Sequence, residues 1–168
     1  RDLRLYHIAF PATHITARFA GQDDAMHRIF DAAVETFRAN TVDIYMDCPS
    51  RERAGWLCDS FFTSRVERVL TGRSDVEHAF LQNFLLPEHF AFLPDGMLPM
   101  CYPSDHNDRT FIPNWAMWYG VEMGEYLTRT GDRAFTDSAR ERLYALLAYF
   151  APFENEYGLL EGLKSWVF

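Results

Sequence analysis

Three carboxylates, two guanidiniums and an indole fall within thirteen consecutive residues of this chain, Asp47-Cys48-Pro49-Ser50-Arg51-Glu52-Arg53-Ala54-Gly55-Trp56-Leu57-Cys58-Asp59. Breaking a glycosidic bond needs a protonated carboxylic acid near the leaving oxygen and a second carboxylate across the sugar. It also needs polar groups that fix hydroxyls and an aromatic face for the C–H surface of the ring. Every one of those residue types is here except a partner carboxylate of known placement. The same residues could instead pair among themselves as caps and ion pairs between helices, and residue types alone favour that plainer reading.

The elements around this stretch are mostly helical. Residues 3–20 alternate imperfectly (Leu3, Leu5, His7, Ala9, then Ile15, Ala17, Phe19), which predicts one or two strands leading into the domain. Asp23 can cap a first helix, with Met26, Ile29, Phe30, Ala33, Val34 and Phe37 as its apolar stripe. Residues 40–58 carry no periodicity. A second helix is expected from Asp59-Ser60 to Gly72, with Phe62, Val66, Val69 and Leu70 facing inward. A third follows the capping box Ser74-x-x-Glu77 and runs to Pro87, burying Val76, Ala79, Phe80 and Phe84. Pro113 suits the first turn of a fourth helix, apolar nearly all round and ending at Gly131, with Glu122 and Glu125 on its polar remainder. The fifth starts near Asp132, carries Phe135, Ala139, Leu143, Leu146, Leu147 and Phe150 in one stripe, and breaks at Pro152. The punctuated stretch 87–111 between the third and fourth helices is rich enough in Phe, Leu and Met to be an ordered loop.

Composition narrows the function. The 168 residues, 48% hydrophobic, suffice for one cored domain, and no apolar run reaches the roughly 18–20 residues of a membrane helix. A formal charge of −8 gives no electrostatic footprint for nucleic acid. Cys48, Cys58 and Cys101 are too few for a disulfide framework and read as buried free thiols. No H-x-x-x-H or H-E-x-x-H occurs among the six histidines, so no metal site is expected; Asp105, His106 and Asp108 form the one cluster to check. The opening Arg1-Asp2 and the closing Ser-Trp-Val-Phe read as a segment cut from something longer.

The string Asp-Cys-Pro-x-Arg-Glu-Arg-x-Gly-Trp-x-x-Asp resembles the signature of glycoside hydrolase family 78, the α-L-rhamnosidases. Pro94-Asp95-Gly96, Ile112-Pro113-x-Trp115, Thr130-Gly131-Asp132 and Gly158-Leu159-Leu160-Glu161-Gly162 fit the same family, so the likeness extends over about residues 15–168. It implies part of an (α/α)6 barrel over 22–168, with 1–21 a strand-rich lead-in from a preceding β domain. It implies inverting hydrolysis of terminal α-L-rhamnosyl bonds in a rhamnose-containing oligosaccharide, polysaccharide or glycoside, without a cofactor. Glu52 matches the general acid, Asp47 and Asp59 pocket carboxylates, Arg51 a ligand-contacting guanidinium and Trp56 an aromatic wall. Trp115 and Trp118 are further pocket aromatics on a looser match. The general base matches no position here, so the remainder of the polypeptide should complete the barrel, and the segment alone should be inactive. Two other readings stand beside this one: an (α/α)6 glycosidase for another sugar, and a non-catalytic helical carbohydrate-binding or scaffold domain.

A general acid must hold its proton, yet Arg51 and Arg53 flank Glu52 and cations depress a carboxyl pKa. An extended backbone would turn both guanidiniums away and leave Glu52 facing Asp47 and Trp56, whose like charge and apolar surface raise a pKa. The expectation is therefore that Glu52 and at least one of Asp47 or Asp59 line one cavity, with Arg51 turned from Glu52.

Overall fold

The computed structural model describes residues 2–104 and 109–166. Its helices are α1 (Asp24–Asn40), α2 (Leu57–Thr71), α3 (Asp75–Asn83), α4 (Pro113–Thr130), α5 (Arg133–Ser138) and α6 (Arg140–Phe150), with 3₁₀ turns at Ala12–His14 and Ala151–Phe153. Local chemistry sets several of the ends. The Asp23 carboxylate accepts from the amides of Ala25 at 2.7 Å and Met26 at 3.3 Å, which starts α1. Gly72 and Gly131, both at φ 72°, close α2 and α4 by donating to the carbonyls of Arg68 and Leu127. Pro113 occupies the first turn of α4, where its missing N–H costs nothing. No helix is long and apolar enough to cross a membrane among the described residues.

Helix α4 is the hub, packing against α2, α3, α5 and α6, while α2 also meets α1 and α3. Its face Ala116, Tyr119, Met123 and Tyr126 is buried against Phe80, Leu81 and Phe84 from α3 and its end, and against Leu146 and Phe150 of α6. Rings run through this core from Tyr45 to Phe80 (5.8 Å), Phe84 (5.4 Å) and Tyr119 (5.5 Å). Truncating a ring such as Phe84, fully buried at 0% exposure, typically costs about 3–5 kcal/mol.

Five expectations change. The strands over 3–20 do not form: outside the 3₁₀ turn the segment is extended chain with no ladder, and its alternating Leu3 and Leu5 are exposed. Alternation creates a strand only where a neighbouring edge supplies hydrogen bonds, and among the described residues none does. Helix α2 starts at Leu57, two residues early, and buries a different face: Leu57, Ser60, Phe61, Ser64, Glu67 and Thr71 point inward while Phe62, Val66 and Val69 stay exposed. The capping box at Ser74 is not made; Glu67 reaches across from α2 and accepts from the amides of Val76 and Glu77, each at 3.1 Å. That anion at the start of α3 satisfies the same orphan donors and opposes the helix dipole favourably. The single fifth helix divides at Ala139 into α5 and α6. Finally, Glu122 lies in the core and not on a polar face of α4, while the apolar Met117 and Val121 are exposed.

Candidate active site around the 47–56 loop

Hydrogen bonds from both sides hold the motif stretch. The Asp47 amide donates to the Ala54 carbonyl and the Ala54 amide to Asp47 Oδ1, each at 3.2 Å, which closes the base of the loop. Residues 55–57 then pair with 100–102: the Leu57 amide donates to the Met100 carbonyl at 3.0 Å, and the Tyr102 amide to the Gly55 carbonyl at 2.9 Å, around a Trp56–Cys101 antiparallel bridge. Gly55 is required there, because a Cβ would sit 2.7 Å from both the Phe80 ring and the Tyr102 carbonyl oxygen. Below the pairing, Ala54, Met100, Cys101 and Ile112 form a small apolar cluster on which Trp56 and Trp115 rest. The 87–111 stretch is therefore ordered over its described residues, as expected. It is pinned to α6 by Gly96, whose φ of 82° and 2.2 Å approach of a built Cβ to the Ala145 carbonyl exclude any side chain.

Asp47 and Asp59 face one cavity of about 570 Å³ between α1 and α2, bordered also by Asn40, Met46, Phe62 and Thr63. Two of the exposed apolar residues of α2, Phe62 and Val66, thus form a wall of this pocket. A larger hollow of about 640 Å³ opens elsewhere along the loop beside Pro49 and Arg53, but Asp43 is the one carboxylate on its lining, so no acid pair can form there. Asp59 stands in the first turn of α2. Its carboxyl is pushed up, chiefly by loss of water around it and further by the charge of Asp47, against the pull of backbone amides and the Trp115 indole.

Glu52 stands beside this pocket without bordering it, so the expectation that it lines one cavity with Asp47 or Asp59 fails. A carboxylate oxygen of Glu52, one of Asp47 and the Cys48 sulfur all lie within 4.8 Å of one another. The Cys48 thiol donates to Glu52 Oε2 at 3.1 Å, and the Arg51 guanidinium forms an ion pair with Oε1. Arg51, then Cys48, holds the Glu52 carboxyl down at about 2. Glu52 does face Asp47, but the expectation that Arg51 turns away fails: neighbouring guanidinium and carboxylate meet at the loop's surface, where the Arg51 side chain is 86% exposed and that of Glu52 19%. Arg53, which does point elsewhere, adopts a left-handed φ of 51°.

The other anticipated residues separate. Trp56 caps α2 and Trp115 opens α4 with its indole on Asp59; both are half-buried, and neither lines the cavity. Trp118, one turn further on, packs on Phe61 at 4.6 Å and Phe62 at 5.8 Å and does not border the cavity. Residues 105–108, with Asp105, His106 and Asp108, lie outside the described residues. Asp47, Cys48 and Glu52 are the acid and thiol groups close enough to share an ion among the described residues, but Glu52 already has Arg51 and the Cys48 proton as partners. Cys48 was not anticipated at the site, although its place four residues before Glu52 in a tight loop was the available signal. All three cysteines are free, but Cys101 alone of them is buried; Cys48 and Cys58 are half-buried.

The model of the bacterial α-L-rhamnosidase six-hairpin glycosidase domain matches residues 14–166. Among solved structures, a family 78 rhamnosidase of Bacillus sp. GL1 superposes with a TM-score of 0.73 at 23% identity, covering 88% of this chain and 15% of that one. A rhamnosidase from Klebsiella oxytoca, solved with rhamnose bound, gives a TM-score of 0.72 at 21% identity over 96% of this chain and 30% of its own. This chain therefore spans less than a third of either structure. No curated protein matches it. A mostly helical chain, the signature loop between α1 and α2 and the fold shared with both rhamnosidases converge: the chain belongs to the bacterial α-L-rhamnosidase six-hairpin glycosidase domain family.

Proposed function

We propose that this chain is the acid-bearing part of an inverting glycosidase that removes terminal α-L-rhamnosyl units. In this reading residues 22–168 form the N-terminal part of an (α/α)6 barrel and 1–21 lead in from a preceding β domain. Rhamnose occupies the cavity between α1 and α2, Asp47 and Asp59 accept hydrogen bonds from its hydroxyls, and Trp56 and Trp115 flank the ring. Glu52 is the general acid. The observation that carries the reading is the placement of Glu52 within 4.8 Å of Asp47, itself on the wall of a sugar-sized cavity shared with Asp59.

The resting ion pair sets a condition on the mechanism. An ionised carboxylate cannot donate a proton, so Arg51 must leave Glu52 before the bond breaks. Its exposure makes that inexpensive, and a sugar hydroxyl offers the guanidinium an acceptor. With Arg51 drawn to substrate, the nearby charge of Asp47 raises the Glu52 pKa toward the working range. The base, supplied from outside these residues, activates water on the far face of the ring, with about 6.5–9.5 Å between the two carboxyls.

In the full-length polypeptide, which supplies the base, Glu52→Gln should lower hydrolysis of an aryl α-L-rhamnoside by about 10²–10⁴-fold with little change in Tm. Hydrolysis by the wild type should release β-L-rhamnose first, seen by proton NMR before mutarotation. Wild-type rates in the Gln variant overturn the acid assignment. A wild type active on another aryl glycoside but not the rhamnoside favours a different sugar, and a wild type inactive on all of them favours a scaffold.

A further inference from the structure

Beneath the first turn of α2 lies a layer that the proposed chemistry does not use. Glu67, Glu77 and Glu122 are buried at 1%, 0% and 0% exposure. Glu67 is well satisfied, by the Tyr45 hydroxyl and the two amides at the start of α3. Glu77 pairs with Arg129. Glu122 has neither arrangement: Oε2 lies 2.7 Å from Ser60 Oγ, and Oε1 is buried with no hydrogen-bond partner.

Counting protons decides its state. Ser60 Oγ lies 2.7 Å from Glu122 Oε2 and also 2.8 Å from the Leu57 carbonyl oxygen. A serine hydroxyl has one proton, and a carbonyl can only accept. If Glu122 were charged, Ser60 would donate to it and leave two bare oxygens facing each other at the Leu57 contact. Both contacts are filled when Glu122 donates to Ser60 and Ser60 donates to Leu57. We propose that Glu122 is a neutral carboxylic acid at neutral pH, and that its proton, relayed through Ser60 to the Leu57 carbonyl, fastens the first turn of α2 onto α4. Asp59 is the residue before Ser60, so Glu122 is a positioning residue for the pocket; this half of the inference rests on reading that pocket as the sugar site.

The surroundings agree. Ser60 faces Glu122 from α2, Glu77 from α3, Tyr119, Glu125 and Arg129 from α4, and Tyr45 from the segment before the loop. Arg129 is already engaged by Glu77 and by Glu125, at 2.7 Å from the latter, and no other cation acts on Glu122 among these groups. Burial pushes the carboxyl well above its ordinary value, opposed chiefly by Ser60. A folded-state pKa raised in this way contributes stability that is complete below the ordinary carboxylate range and is lost as pH rises through the folded value.

Glu122→Gln keeps a donor for Ser60 and cannot ionise, so it separates the proton from the shape. At neutral pH the wild-type infrared spectrum should show the carbonyl stretch of a protonated carboxylic acid that the Gln variant lacks. The Tm of the wild type should fall relative to Glu122→Gln as pH rises. L-Rhamnose, measured by calorimetry, should bind Glu122→Gln as it binds wild type and Glu122→Ala about tenfold more weakly. No difference band at neutral pH, or Tm profiles that run parallel, overturns the neutral acid. Equal L-rhamnose affinity in the Ala variant overturns the positioning role, as does loss of affinity in the Gln variant at unchanged Tm. Should Glu122→Ala fail to fold, the band, the Tm profile and the Gln variant's affinity decide. A wild type that does not bind L-rhamnose at all sinks the sugar reading and the positioning role with it, while the band and the Tm profile still judge the proton.

Discussion

Glu52 and Glu122 are glutamates driven to opposite protonation states by opposite surroundings. Glu52 sits at the loop surface, where an exposed guanidinium and a thiol proton hold its carboxyl down at about 2. Glu122 sits in the α2–α4 interface, where burial removes water and the nearby guanidinium is already shared between Glu77 and Glu125. The residue proposed to donate a proton is the one that rests without it, and the residue that keeps one lies away from the pocket lining. Proximity to charge outweighs exposure at the first, and burial outweighs a hydroxyl at the second. The loop state is reversible because water and substrate can compete for Arg51. The core state changes only if helices part.

Removing charge from the buried layer should have the largest effect. Arg129→Met strands Glu77 at 0% exposure and should lower unfolding free energy by about 3–5 kcal/mol in denaturant titrations. The deficit should grow as pH rises, since an unpaired buried Glu77 is tolerated only with its proton and a raised carboxyl pKa costs stability on the alkaline side. An Arg129→Met variant as stable as wild type would remove the contrast between layer and loop. Next comes Tyr45→Phe, which takes a donor from the buried Glu67 carboxylate and should cost about 1–3 kcal/mol by the same titration.

Arg51→Gln should have the smallest effect on folding, with Tm nearly unmoved because the guanidinium itself lies in solvent. Its effect on titration should be plain: the Glu52 carboxyl, followed by carbon NMR, should move up from about 2 toward the ordinary 4.5. The wild-type pair's small contribution is complete above that ordinary value and is lost as pH falls toward about 2, so any stability difference between the two proteins should appear above that range and vanish in strong acid. A Glu52 titration that ignores Arg51 would mean that the guanidinium does not control the acid.

Helix boundaries set by backbone chemistry were legible in the residues: Asp23 before α1, Gly72 after α2, and Pro113 and Gly131 around α4 behave as such residues must. The signature loop was legible too, because residue types and spacing of that density belong to a family. Side-chain direction within the loop was not, since Arg51 met Glu52 where alternation would have parted them. The inward face of α2 was misjudged because it is polar. Ser60, Ser64, Glu67 and Thr71 are buried through partners on α3, α4 and α2 itself, while the apolar Phe62 and Val66 wall a cavity. Hydrophobic periodicity cannot report a face whose burial is compensated by hydrogen bonds.

Caps, breakers and motif chemistry act within a few residues of their own position, so the chain carries them wherever it folds. Protonation, pairing and the sense of a buried face depend on which distant groups arrive within a few ångströms. Ser60 meets Glu122, Glu77 meets Arg129 and Asp59 meets Trp115 only once α2, α3 and α4 have packed. Electrostatic and desolvation energies follow separation in space and not along the chain, and that is why the acids of this protein had to be read from its packing.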